Sequence, residues 1–163
     1  MDITSYLFWL AFLFGPGLII TTVLYFLRWR PNRRITSFRG RLLDEVNYAR
    51  KKRGLGRLGR TRFLDSVAAR HSRHMAKCSH CCHHGFETRA EHVKRKTGLS
   101  YVAENCYMFP ARKYTAHVAK ELVKGWQDSP GHRANLLNPR MCRIGIGIIV
   151  KKGYVYATQL FSD

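Results

Sequence analysis

Between Tyr6 and Leu27 lie 22 consecutive residues with no acidic or basic side chain. A helix rises about 1.5 Å per residue, so about 20 apolar residues cross the hydrocarbon core of a bilayer. Tyr6, Trp9, Tyr25 and Trp29 stand near the two ends of the run, where aromatic rings favour the headgroup level. Gly15-Pro16-Gly17 lies in its middle and would kink such a helix, which a membrane segment tolerates. The start, Met1-Asp2-Ile3-Thr4, lacks the basic region of a signal peptide, and the run passes into Arg28-Trp29-Arg30 without a small-residue cleavage site. A buried hydrophobic hairpin turning at Gly-Pro-Gly is the remaining alternative. The expectation is an uncleaved transmembrane helix over residues 1–27, a basic linker over 28–37 and one domain over 38–163. Membrane lipid is then a partner and the location is a membrane, crossed once.

All 29 lysines and arginines follow residue 27, against nine acidic residues, a net charge of +20 on that part of the chain. Basic residues beside an anchor favour the cytoplasmic side. Such a charge also attracts any polyanion. No nucleic-acid motif accompanies it, and the basic residues are spread over helices and loops, so nucleic acid is not the expected partner. The five cysteines, Cys78, Cys81, Cys82, Cys106 and Cys142, are odd in number and not spaced as a disulfide framework.

Beyond the linker the apolar residues recur at helical spacing in three places. Leu42, Leu43, Val46 and Ala49 mark a helix over 38–53, ended by Gly54 and Gly56. Leu64, Val67, Ala68, His71 and Met75 mark a second over 62–76, with Thr61 as N-cap. Val118, Ala119, Leu122, Val123 and Trp126 mark a third over 115–127. Short helical turns are expected near 87–96 and 132–137, and an extended segment over 101–107. From Ile144 the period changes to two, Lys152-Gly153 turns, and Tyr154 to Phe161 returns as a β-hairpin. Gly145 and Gly147 on one face of that hairpin call for a close backbone approach. Leu43, Val46, Leu64, Val67, Leu122, Trp126, Ile146 and Ile148 are the expected core.

Chemistry-bearing residues gather twice. Cys78-Ser79-His80-Cys81-Cys82-His83-His84 packs three thiols and three imidazoles into seven residues. Cys78, Cys81, Cys82 and His84 are candidate zinc or soft-metal ligands, and His71 and His74 on the preceding helix add to them. No second Cys-x-x-Cys follows, and a hydrogen-bonded loop with one disulfide explains the same residues. The second gathering is Glu104-Asn105 with Ser129-Pro130-Gly131-His132-Arg133. Glu104 follows Val102 and Ala103, and a buried carboxylate must pair or protonate. His83 and His132 are its natural partners, for acid–base work, metal binding or structure.

The order and spacing of these pieces resemble the CAP superfamily of SCP-like domains (cysteine-rich secretory, antigen 5 and pathogenesis-related 1 proteins) in its short prokaryotic form. The resemblance runs from Leu42-Leu43-x-x-x-Asn47-x-x-Arg50 through His71, His83, Arg89 and Ala103-Glu104-Asn105. It continues with Trp126-x-x-Ser129-Pro130-Gly131-His132-Arg133-x-Asn135-Leu136-Leu137-Asn138-Pro139 and closes with Tyr156-Ala157-Thr158-Gln159-x-Phe161. It implies an α+β fold, a three-layer α-β-α sandwich, here with one N-terminal transmembrane helix. It also implies a pocket lined by His83, Glu104, Ser129 and His132, with His84 as the fallback for His83, and a divalent metal such as zinc held by His83 and His132. Ser129 stands where animal and plant relatives carry a second glutamate, so any ion there is weakly held.

The resemblance names no shared reaction, and neither Gly-x-Ser-x-Gly nor His-Glu-x-x-His is present. The expected function is a membrane-anchored CAP domain that binds a lipid or a cell-envelope component and is more binding module than enzyme. The alternatives are a metal-dependent hydrolase with His83, Glu104 and His132 as catalytic candidates, and a charge-driven polyanion binder. The basic flank argues for a cytoplasmic domain and the family bias for an extracytoplasmic one; the second is taken here.

Overall fold

The computed structural model describes residues 33–163, with side chains from residue 35 onward. Helix α1 is Arg33–Lys51. It begins inside the stretch expected as a linker over 28–37. Strand β1 is Gly59–Arg60. Helix α2, Arg62–Cys78, is capped by Thr61, whose hydroxyl accepts the Leu64 N–H at 3.2 Å. Then follow α3 (Phe86–Thr97), β2 (Val102–Pro110), α4 (Ala116–Asp128), α5 (Pro130–Leu136), β3 (Arg143–Lys151) and β4 (Tyr154–Ser162).

The four strands form one sheet in the order β1-β3-β4-β2. β3 and β4 make the antiparallel hairpin, β2 pairs antiparallel with β4, and β1 lies parallel to β3. Alternation along the strands divides the core in two. On one face Ile144, Ile146, Ile148, Val155, Ala157 and Phe161 pack with Phe38, Leu42 and Val46 of α1 and with Leu122 and Trp126 of α4. On the other, Leu160 meets Leu64, Val67 and Ala68 of α2 and Val93 of α3, while Cys106 and Tyr156 meet Met75 and Ala76. The result is the helix–sheet–helix sandwich that the resemblance implies. Leu43 departs from the expected core: it is only partly buried, and Leu42 is the residue that faces the sheet.

Gly145 and Gly147 lie on the α2 face, where a Cβ would overlap the backbone of Leu64 and of Ala68 and Ala69. The helix therefore rests on β3 backbone to backbone. Two polar side chains fasten α1 to the loops. Asn47 brackets Leu58, accepting its N–H at 2.7 Å and donating to its carbonyl at 3.2 Å. Arg50, 1 % exposed, donates to the carbonyls of Gly56, Leu136, Asn138 and Met141 at 2.8–3.1 Å.

The transmembrane segment expected over residues 1–27 lies outside the described residues. Among the described residues no helix is long and apolar enough to cross a membrane. The longest, the 19-residue α1, carries charges at Arg39, Arg41, Asp44, Glu45, Arg50 and Lys51 and buries its apolar face against the sheet. Among the described residues the expected fold class is corrected accordingly to an α+β sandwich with no membrane-crossing helix. The single-pass membrane location, the membrane-lipid partner and the membrane-anchored lipid- or envelope-binding function rested on that helix and are withdrawn with it.

Candidate functional site

β2 is an edge strand, and its alternation sends successive side chains to opposite faces of the sheet. Glu104 and Cys106 go to the α2 face. Asn105 goes to the other, where its side-chain amide donates to the His132 carbonyl at 3.0 Å and to Gln159 at 3.1 Å. Asn135 of α5 donates to the Asn105 side-chain oxygen at 3.0 Å and to the Glu104 carbonyl at 3.3 Å. These bonds fix α5, and with it His132, against the strand that carries Glu104.

The Glu104 side chain is 1 % exposed and closely partnered. Arg89, on the first turns of α3, grips it with two prongs: Nε to Oε2 at 2.9 Å and Nη2 to Oε1 at 2.8 Å. Its third nitrogen, Nη1, donates to the His84 carbonyl at 2.7 Å and so holds the preceding loop. His83, from that loop, places Nδ1 3.0 Å from Oε1. A carboxylate only accepts, so Nδ1 carries a proton, and Nε2 is the ring nitrogen left for another partner. The His83 ring is half exposed and lies 5.9 Å, centroid to centroid, from the ring of His132. Burial, and next the nearby His83, lower the pKa of His132. Its Nδ1 is buried without a hydrogen-bond partner.

The structure thus brings His83, Glu104 and His132 together from a loop, a strand and a short helix. Ser129 sits at the N-cap position of α5, half buried, and its side chain makes no capping bond. The Cys/His segment does not form one cluster. Cys78 and His84 are exposed, Cys81 and Cys82 pack beside Cys106 and Met75, and all five cysteines are free thiols.

His71, Glu104 and Cys106 form a buried cluster of metal-coordinating type, with ligand atoms within 4.8 Å of one another. Its donors are already engaged. His71 Nε2 lies 2.7 Å from the Cys82 carbonyl, which only accepts, so that nitrogen is protonated. Burial lowers the His71 pKa against the opposing pull of the Cys82 carbonyl and Glu104. Burial, reinforced by Glu104, holds the Cys106 thiol far above the usual thiol range. Both Glu104 oxygens serve Arg89, and Oε1 also serves His83.

Sequence reasoning missed two parts of this site. Arg89 stands out only within the resemblance, although a carboxylate expected to be buried calls for a cation. Cys106 stands two residues after Glu104, and the period-2 rule for strands puts both on one face.

The model of the family described as the cysteine-rich secretory protein family (CAP) matches residues 43–161. The uncharacterized protein YkwD of Bacillus subtilis is 27 % identical over 129 residues, which cover 78 % of this chain and 48 % of that protein. An extracellular protein containing an SCP domain from Bacillus anthracis is 29 % identical, with a TM-score of 0.57, over 74 % of this chain and 38 % of that one. An outer surface protein from Borrelia burgdorferi shares the fold at 20 % identity, with a TM-score of 0.66, over 78 % of this chain and 92 % of that one. The chain therefore spans about half the length of the curated relative it matches and less of the Bacillus anthracis protein.

Proposed function

The chain belongs to the cysteine-rich secretory protein (CAP) family, and from that premise we propose that it is a metal-dependent hydrolase whose divalent ion is held by His83 and His132. One observation carries the reading: His83 Nε2, which Glu104 does not use, and the orphaned Nδ1 of His132 belong to rings only 5.9 Å apart. Metal–nitrogen bonds of about 2.0–2.1 Å let two rings at that spacing share an ion. The residues present therefore fit a metal. A divalent ion bound there would act as a Lewis acid and lower the pKa of a coordinated water.

The chain's own residues set the terms. Glu104 is a positioning residue: it fixes the His83 tautomer and raises the basicity of the free nitrogen, as carboxylates behind metal-bound histidines do. Arg89 keeps Glu104 in place. Ser129 offers a hydroxyl where a second carboxylate would strengthen the site, so binding is labile and open to water. The His71–Glu104–Cys106 cluster is the weaker candidate, because binding there would displace Arg89, the Cys82 carbonyl and a thiol proton together. The extracellular setting named for the Bacillus anthracis relative suggests the same setting for this reaction.

Calorimetric zinc titration of the chelator-treated chain, with hydrolysis of an activated ester followed in parallel, tests the proposal. Zinc-dependent hydrolysis in the parent, with loss of one zinc equivalent and of the rate in both His83→Ala and His132→Ala, is expected. Equal zinc uptake by the parent and His132→Ala would refute the metal assignment, and zinc uptake without any hydrolysis would refute the reaction.

A further inference from the structure

The last turn of α2 carries donors that the Glu104 site does not use. His74 and Cys78 lie four residues apart, so their side chains share one helix face. His74 Nε2 is 3.8 Å from Cys78 Sγ. Bonds of about 2.3 Å to sulfur and about 2.0–2.1 Å to nitrogen separate the two donors of a tetrahedral metal by about 3.6 Å. Two of the donors therefore already stand near the bite distance of a transition metal. As a hydrogen bond the same contact is weak, because a thiol is a poor donor.

The chain beyond α2 brings a third candidate donor beside the pair; its nitrogen does not yet share the 4.8 Å spacing of a formed ligand group, so binding requires its exposed side chain to turn. Ser79 takes the left-handed conformation (φ 54°) and ends the helix, with its N–H bonded to the Met75 carbonyl. The backbone N–H of His80 donates to the same carbonyl at 3.2 Å. The segment then turns back until Gly85 (φ 70°) opens α3. Its His84 ring stacks on His74 with centroids 5.7 Å apart and planes 20° from parallel. The imidazoles of His74 and His84 and the thiol of Cys78 all lie at the exposed surface. We propose that His74, Cys78 and His84 form a second metal site, on the surface, for a soft or borderline transition metal of the zinc or copper(I) class.

The surroundings select that class. No carboxylate is among the three donors, and Arg70 and Arg89 line the adjoining cleft of about 360 Å³. A hard cation held by charge finds no counter-charge there, whereas thiolate and imidazole bind soft ions through covalent character. The C-terminal end of α2 adds the partial negative charge of its last carbonyls. Cys78 suits the role better than its neighbours. Cys81 is half buried, with its thiol pKa raised by burial and by Cys82, and Cys106 is buried in the core. Binding replaces the Cys78 S–H bond by a sulfur–metal bond and releases the proton to solvent. Three protein donors leave one position for water, and occupancy ties the His83-bearing loop to α2.

Cobalt(II) titration of the reduced full-length chain reads thiolate ligation directly, through a near-ultraviolet sulfur-to-metal charge-transfer band. The band is expected in the parent and in His132→Ala, and lost in Cys78→Ser. His74→Ala and His84→Ala should each weaken cobalt binding by at least about tenfold. Because these side chains are exposed, the variants should keep the parent circular dichroism spectrum. A parent without the band overturns the proposal. So does a band that survives Cys78→Ser, which would assign the thiolate to Cys81, Cys82 or Cys106. Loss of a zinc equivalent in His132→Ala with the cobalt band intact separates this site from the proposed catalytic one.

Discussion

Replacing Arg89 by methionine removes both prongs of the clamp on Glu104 while keeping the length of the side chain. The Glu104 carboxylate is 1 % exposed and the Arg89 side chain 16 %, so water cannot take over the lost bonds in place. Breaking a buried ion pair by removing one partner costs about 3–5 kcal/mol, because the other charge is left uncompensated. His83 retains its 3.0 Å contact and Arg89 is partly wet, which puts the expected loss at the lower end, about 3 kcal/mol. With a urea slope of about 1.5 kcal/mol/M the unfolding midpoint should fall by about 2 M. Urea unfolding of the full chain, followed by far-ultraviolet circular dichroism, measures it. The double variant Arg89→Met, Glu104→Gln should recover at least half of the loss, since a neutral amide needs no cation. A loss below about 1 kcal/mol in the single variant, or a double variant no more stable than the single one, would refute a buried, Arg89-dependent carboxylate.

Gly147→Ala should prevent α2 from seating on β3, because the new methyl meets the backbone of Ala68 and Ala69 rather than a movable side chain; a melting temperature within a few degrees of the parent would contradict that packing. The pKa of His71 is lowered by burial, so the unfolded state binds the extra proton, and His71 contributes stability above its unfolded value of about 6.5 that is lost as pH falls towards its folded value. Urea midpoints of chelator-treated protein should therefore decline as pH falls below about 6.5, less so in His71→Gln, and a midpoint that rises over that interval would reverse the assignment.

Local rules made the element order and most of the core legible in the sequence. Helical periodicity located α2 and α4 and their buried faces, the change to period two located the β3–β4 hairpin, and paired glycines announced the close approach of α2. Such patterns depend on residues a few positions apart, which the chain itself holds together. Spacing also marked Glu104 as a carboxylate in need of a partner, and the resemblance placed it with His83 and His132. The rest depended on contacts between distant segments. Strand alternation separates Glu104 from Asn105, but only the folded sheet decides what each face meets, so that the first is clamped by Arg89 and the second holds α5 in place. Arg50 offered no sign in the sequence that it would bind four carbonyls from loops up to 91 residues away. The Cys/His run looked like one cluster because its residues are consecutive. The left-handed turn at Ser79 and the apolar packing of Cys81 and Cys82 divide it into exposed donors around the end of α2 and a half-buried pair beside Cys106. A run of ligands in sequence states which donors are available; the path of the backbone decides which of them can meet.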